Sequence, residues 1–392
     1  MKLILLSLLA LPFFYLFASA LYQLILALAS KRHQKAAIQP ENELPICVVV
    51  PCYQSDETIL SATEYNLNLI QKSNHPVDLL VVGDGLQKET IVQLKELGAK
   101  VLEVAFEKST KVKALQSAVA YLREHRVYDS VLVLDADNLL VEGFDRAISH
   151  FRERGVTSLQ GERLPMNQDT TMALLDGLSE KANQEMLCKG ANALGLSSKL
   201  TGSAMAFEFW LFTEMIPQLN AVGGFDKELE LLLTSKGTFI QYSPDLMVLD
   251  EKVRGAADFE KQRGRWLESQ YAFLRKSILP ALFAAAKGNV DYLHKSLQLA
   301  LPPRVLAPVA WFALIVISLL SGFDTLALLS VLGLTILMSS YLLVIPFHWW
   351  SGKVMSILKA LPGLFFSGFK SLLWMKKAKT QFLHTQHQAV QS

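Results

Sequence analysis

Two carboxylates one residue apart, Asp135 and Asp137, directly follow the apolar run Val131-Leu132-Val133-Leu134. In extended chain such residues point to opposite sides, but at a strand end the chain bends and both can converge on one ligand. A carboxylate pair there suits Mg2+ or Mn2+ already held by phosphate oxygens. Asp84 closes a second apolar run, Leu79-Leu80-Val81-Val82-Gly83, where it could accept a hydrogen bond from a base or ribose; an ordinary Asp-Gly turn would read the same way. Pro51 and Tyr53 follow a third run and offer a backbone edge or a ring to a base. Further on, Gly223-Gly224-Phe225-Asp226-Lys227-Glu228-Leu229-Glu230 opens a helix, where first-turn acids interact favourably with the helix dipole. Glu228 and Glu230 point to different faces, so at most one reaches a reaction centre. Gln262, Arg265 and Trp266 stand at i, i+3 and i+4 and share a helix face. Arg matches phosphate with paired donors, Gln supplies an amide and Trp a flat surface for a sugar. A basic juxtamembrane helix with an interfacial Trp is the plainer reading, and a Gln on the same face fits it less well.

The elements that must position these groups alternate. Strands are expected at 46–50, 78–82, 100–104 and 130–134, and helices at 57–72, 87–97 and 111–124. Strands apolar throughout and separated by helices imply a mostly parallel sheet covered on both faces, an α/β fold. Such sheets bind ligands beyond the carboxyl ends of their strands, where Pro51, Tyr53, Asp84, Asp135 and Asp137 fall.

The flanks are different. The chain has 392 residues, 51% hydrophobic and 19% charged, oilier than a typical soluble domain. A net charge of +2 gives no reason to expect a nucleic acid polymer as partner. Residues 3–30 are uncharged, long enough for a membrane helix of ~20 residues. Ala18-Ser19-Ala20 resembles a signal-peptide cleavage site, but the apolar run continues past it to the basic Lys31, Arg32, His33 and Lys35. That cluster implies an anchor with a cytosolic C-terminal flank. Spans are expected at 302–321 and 325–346, and an interfacial or re-entrant helix at 354–375. No acidic residue follows Asp324, whereas six lysines do, which suits an anionic membrane surface. Three cysteines, Cys47, Cys52 and Cys188, match no zinc pattern and argue for a reducing compartment.

Taken together these motifs resemble the membrane-bound, processive-type family 2 glycosyltransferases, the group of cellulose, hyaluronan and poly-N-acetylglucosamine synthases, with ceramide glucosyltransferase a relative of similar size. Val48 to Gln54 resembles the opening strand, Val81-Val82-Gly83-Asp84 the nucleotide-binding aspartate, and Lys111 with Ala114-Leu115-Gln116 the following lysine segment. Asp135-Ala136-Asp137 is similar to the DxD, and Gln262 to Trp266 to a full QxxRW. The resemblance implies a GT-A-type nucleotide-sugar-binding domain at 45–275, behind an anchor (1–30) and a cytosolic linker (31–44). An interfacial segment (276–301), two transmembrane helices (302–346), the helix at 354–375 and a basic cytosolic tail (376–392) follow. It implies a nucleotide-sugar donor, most simply a UDP-sugar, and a glycan or lipid acceptor. Asp84 would contact uridine, Asp135 and Asp137 diphosphate and metal, and Gln262, Arg265 and Trp266 the pyrophosphate and acceptor end. The family's general base is expected at Glu228, which a Glu in place of the usual Asp makes a departure from the pattern. Lys111 and Arg265 would neutralise the leaving diphosphate in a single inverting displacement.

Two other classes share some of these features. A nucleotidyltransferase would carry a glycine-rich phosphate loop after the first strand, and residues 51–60 contain none. A non-catalytic membrane scaffold retaining the fold would tolerate the departures at Glu228 and at Asp84-Gly85-Leu86.

Overall fold

The computed structural model describes residues 2–32, 42–125 and 128–378. Most of the expected linker 31–44 and of the tail 376–392 lies outside the described residues. Helix α1 (Lys2–Ser30) leads into β1 (Ile46–Tyr53), α2 (Asp56–Ile70), β2 (Val77–Asp84), α3 (Lys88–Glu96), β3 (Lys100–Val104), α4 (Lys111–Glu124) and β4 (Ser130–Val133). Then come β5 (Leu139–Leu140), α5 (Phe144–Glu153), β6 (Ser158–Pro165) and α6 (Thr171–Asn183), which runs on as a π-helical stretch (Gln184–Gly190) and a last turn, α7 (Ala191–Ala193). After β7 (Met205–Glu208), α8 (Phe209–Met215), α9 (Phe225–Ser235) and β8 (Gln241–Asp250) the chain becomes helical: α10 (Ala256–Ala286), α11 (Val290–Leu299), α12 (Ala307–Leu320), α13 (Asp324–Val344), α14 (Phe347–Trp350) and α15 (Val354–Ala378).

The eight strands form one sheet in the order β3-β2-β1-β4-β7-β6-β8-β5. From β3 to β4 every neighbour is parallel. Beyond β4 the sheet is mixed, because β7 runs antiparallel to both β4 and β6, and β5 to β8. The expected mostly parallel sheet is therefore half right. The reason is that β7 and β5 are short return strands of 4 and 2 residues, too brief to show a sequence pattern. In β1, alternation sends Cys47 and Val49 to one face and Ile46, Val48 and Val50 to the other, and each set enters a separate core. Residues 46–49 are fully buried, which is why the run reads as continuous hydrophobics rather than as an alternating pattern. Chain order reverses between β1 and β4, so a crevice opens beyond the carboxyl ends of those two strands.

Among the described residues α1 and α13 are long and apolar enough to cross a membrane, and α12 is a shorter apolar helix of 14 residues. Length and composition alone support this, since a buried core helix would pass the same test. The three helices pack on one another through Phe13, Leu16, Trp311, Leu314 and Leu337. Two glycines let the flanking helices approach the α/β domain. A Cβ on Gly190 would lie 2.1 Å from the carbonyl oxygen of Leu26, so α1 rests directly on the π-helical stretch. A Cβ on Gly264 would lie 2.5 Å from that of Trp374, so α15 rests on α10.

Candidate active site

A cavity of about 510 Å³ lies beyond the β1, β2 and β4 ends, within the range of ligand pockets. Pro51 and Tyr53 reach it from β1, Asp84 from β2, Lys111 from the start of α4, Asp135 and Asp137 from the turn after β4, and Gln262, Arg265 and Trp266 from α10. Every residue singled out for binding in the sequence thus lines one space. Glu228 does not.

Asp84 is buried, and its Oδ1 accepts a long hydrogen bond of 3.4 Å from the Phe106 amide. Gln54, just past β1, takes a left-handed backbone (φ 47) and donates its amide to the Asp84 carbonyl at 3.1 Å, which ties the two strand ends together. The Asp135 amide donates to Ser203 Oγ at 2.9 Å, and Ser203 Oγ donates to Asn138 Oδ1 at 2.6 Å. Lys111 pairs with the Asp135 carboxylate and donates to the Gly202 carbonyl at 2.8 Å. The loop Thr201-Gly202-Ser203 therefore holds the DxD turn from across the sheet. Nothing in its composition marks it; the left-handed Gly202 (φ 88) is the only signal.

Glu228 is held elsewhere. Its Oε2 accepts hydrogen bonds from the amides of Asn220 (3.0 Å) and Ala221 (2.8 Å), so it fastens the loop ahead of α9. Its place on the cavity wall is taken by Asp226, two residues earlier and 100° per residue around the helix. The expectation that Glu228 faces the reaction centre is corrected on this geometry. Left-handed Gly224 (φ 70) starts α9 and sets which first-turn acid looks inward. Lys227 Nζ stands 3.5 Å from Asp226 Oδ2.

On α10 a residue between Gln262 and Arg265 also takes part in the arrangement. Arg263 stacks over Trp266, with its guanidinium carbon 4.5 Å from the ring centre, and it pairs with Asp176. Arg265 lines the cavity, and burial holds its guanidinium below the ordinary arginine range. Gln262 Oε1 is buried with no hydrogen-bond partner among the described residues, so an acceptor stands ready for a donor from outside the chain. The opposite wall carries charges that the sequence reading passed over. Arg163 pairs with Asp250 and Glu180, and Lys252 pairs with both acids too.

No group of three or more His, Cys, Asp or Glu residues able to hold a metal exists among the described residues. Two carboxylates, Asp135 and Asp137, do share the cavity, and a Mg2+-type ion is commonly held by one or two carboxylates together with substrate phosphates. The donor set therefore fits an ion that arrives with a diphosphate.

Comparison with known proteins gives the family and the fold. Residues 44–269, more than half the chain, match the family described as "Glycosyltransferase like family 2". The fold is similar to that of the mannosyltransferase PcManGT from Pyrobaculum calidifontis, solved in complex with GDP-Man and Mn2+, at 19% identity and a TM-score of 0.51 over 88% of this chain and 99% of that one. A weaker likeness, TM-score 0.38 at 17% identity, covers 55% of this chain and 73% of glucosyl-3-phosphoglycerate synthase from Mycobacterium tuberculosis, solved with Mn2+, UDP and phosphoglyceric acid. No curated protein matches the chain.

Proposed function

The chain belongs to glycosyltransferase-like family 2, and on that premise we propose that it is an inverting, membrane-anchored transferase that moves a sugar from a nucleoside diphosphate to an acceptor hydroxyl at the cytosolic membrane face. The observation that carries the reading is the single cavity into which β1, β2, the β4 turn, α4, α9 and α10 each send a polar side chain. Asp84, Pro51 and Tyr53 would grip the nucleoside. Asp135 and Asp137 would hold Mg2+ or Mn2+, which when bound supplies positive charge to the leaving diphosphate.

Asp226 is assigned the general base. Its carboxylate takes the proton of the acceptor hydroxyl, whose oxygen bonds to the anomeric carbon as the bond to the diphosphate breaks on the opposite face. Arg265 and Lys111, the latter paired with Asp135 in this structure, balance charge growing on the diphosphate. Gln262 offers its unpartnered oxygen to a hydroxyl of donor or acceptor, and Trp266 gives a sugar a flat wall. Helices α1 and α13, with α12 between, would anchor the domain, and α15 would lie along the interface.

The test is a panel of UDP- and GDP-sugars offered to the full-length protein, with Mg2+ or Mn2+ present or chelated. The expected result is release of nucleoside diphosphate from one donor, abolished by chelation, with a sugar-sized mass increase in an acceptor. Failure of every donor to bind would overturn the reading in favour of the non-catalytic scaffold.

A further inference from the structure

Apart from Arg265, the cations around the cavity fall into two classes. Lys111, Arg163, Lys227, Lys252 and Arg263 each stand against a carboxylate. Lys199 and Arg304 do not. Among the described residues the Lys199 ammonium has no hydrogen-bond or ion-pair partner, although it lines the cavity. Arg304 donates to the Ser179 carbonyl at 2.6 Å and interacts with the Tyr341 hydroxyl, both neutral groups. Enclosing a cation with no carboxylate in contact with it is costly, and a ligand anion would offset that cost. Burial first, then the neighbouring Lys227, brings the Lys199 ammonium down to about 8, and Arg304 adds to the repulsion while Glu230 and Asp226 oppose it.

Their position says which anion. The donor diphosphate is served at the strand ends by Lys111, Arg265 and the DxD carboxylates. Lys199 and Arg304 belong instead to the segment before β7 and to the link between α11 and α12. The wall around Arg304 is Leu301, Pro302, Pro303, Val305 and Leu306, which runs straight into the apolar helix α12. On the same side the cavity reaches Gln23, a buried amide in α1 that accepts from the Tyr341 hydroxyl at 3.2 Å. Polar groups buried on a membrane-crossing helix mark substrate paths. The far end of the cavity thus combines unpaired positive charge with apolar walls contributed by the anchoring helices.

We infer that the acceptor is a lipid bearing a phosphate, whose phosphate sits on Lys199 and Arg304 while its chain leaves between the Leu301–Leu306 link and α1. This rests on the transferase reading above, for it names the acceptor of that same site, and the hydroxyl that Asp226 deprotonates belongs to the lipid's headgroup. Lys227, tied to Asp226, bridges the phosphate end and the reacting end.

The test uses the full-length protein in phosphatidylcholine nanodiscs and three probes: lysophosphatidic acid, monoacylglycerol and glycerol 3-phosphate. The first carries lipid, phosphate and hydroxyl, the second lacks the phosphate and the third lacks the chain. Lysophosphatidic acid should bind at least tenfold tighter than either comparator. Lys199→Ala and Arg304→Ala should each weaken it roughly tenfold, with Lys199→Arg recovering most of the loss. Thermal unfolding of each variant shows whether it has folded, and Lys199→Gln, which removes the charge but keeps a polar side chain, supplies the result if the alanine variant has not. Equal binding of monoacylglycerol would overturn the role of the phosphate, equal binding of glycerol 3-phosphate the lipid, and unchanged affinity in the charge-removing variants at Lys199 and in Arg304→Ala the site. Nucleotide-sugar binding by the same wild-type preparation is read separately. If the donor binds and the lipid phosphate shows no preference, only this inference falls; if the donor does not bind, the transferase reading falls first.

Discussion

On the β3-β2-β1-β4 side of the sheet, the functional carboxylates emerge from strands whose inward residues are apolar and buried on both faces. On the β6-β8 side, the cavity wall is itself a network of buried charges, with Arg163 and Lys252 interleaved between Asp250 and Glu180. The first side positions Asp84, Asp135 and Asp137 by the rigidity of close-packed strands, and ties the Asp135 carboxylate to the cation Lys111. The second side satisfies its charges internally, and so makes a wall that is polar yet already neutralised. The proposed diphosphate would meet strand-end carboxylates on one side and a closed network of ion pairs on the other. The difference explains how one cavity can hold so many charges without each being a binding group.

The sharpest break in that comparison comes at α9, the element that delivers the proposed base between the two walls. Asp226→Asn should lower turnover by about 10²–10⁴-fold, the usual contribution of a positioned base, while the nucleotide-sugar still binds. Donor-binding calorimetry alongside product assays separates lost chemistry from lost fold. Turnover equal to wild type would remove Asp226 from the reaction.

The two means of support predict different stabilities. Arg163→Met leaves Asp250 and Glu180 with a single buried cation and should cost about 3–5 kcal/mol in chemical unfolding. Leu132→Ala, in the fully buried centre of β4, should cost about 2–5 kcal/mol through the hole it leaves. Acidity tells them apart. Burial would raise the Asp250 carboxyl, but Arg163 and Lys252 more than offset it and hold the group well below the usual carboxylate range. A depressed carboxylate stabilises the fold above its unfolded value, about 3.9, and that contribution is lost as pH falls through the folded value. The Arg163→Met deficit should therefore be full at neutral pH and shrink below about pH 4, whereas the Leu132→Ala deficit should not change with pH. Parallel curves for both variants would show that the charged wall supports the fold by packing alone.

The same contrast accounts for what the sequence disclosed. The four parallel strands and their terminal acids were legible because β-branched runs such as Ile46–Val50 and Val131–Leu134 are unbroken in the chain, and each ligand group follows its run directly. The QxxRW face was legible because helical spacing is local. The charged wall was not, since Arg163 and Asp250 are 87 residues apart and Lys252 and Glu180 are 72 apart, and neither partner is unusual in its own neighbourhood. Lys199 went unnoticed for the same reason, standing in an unremarkable loop before β7. At α9 the difference between expectation and structure is one of rotation. Asp226 and Glu228 both lie in the first turn, and only the backbone at Gly224 and the amides of Asn220 and Ala221 decide which one turns inward.

That choice supplies the mildest prediction. In Glu228→Gln the side chain keeps an oxygen able to accept from Asn220 and Ala221, so the loop ahead of α9 stays fastened by neutral rather than charge-assisted hydrogen bonds. The loss should be about 1 kcal/mol in unfolding free energy, with turnover close to wild type. Steady-state assays of Glu228→Gln beside Asp226→Asn place the two acids on one scale. If Glu228→Gln lost as much turnover as Asp226→Asn while still binding donor, α9 would have to rotate by about 200° between this structure and the reacting enzyme. Such a rotation would pull Leu229 and Leu233 out of the core beneath the sheet. The packing of those two leucines is the physical reason to expect the effect of Glu228→Gln to be small.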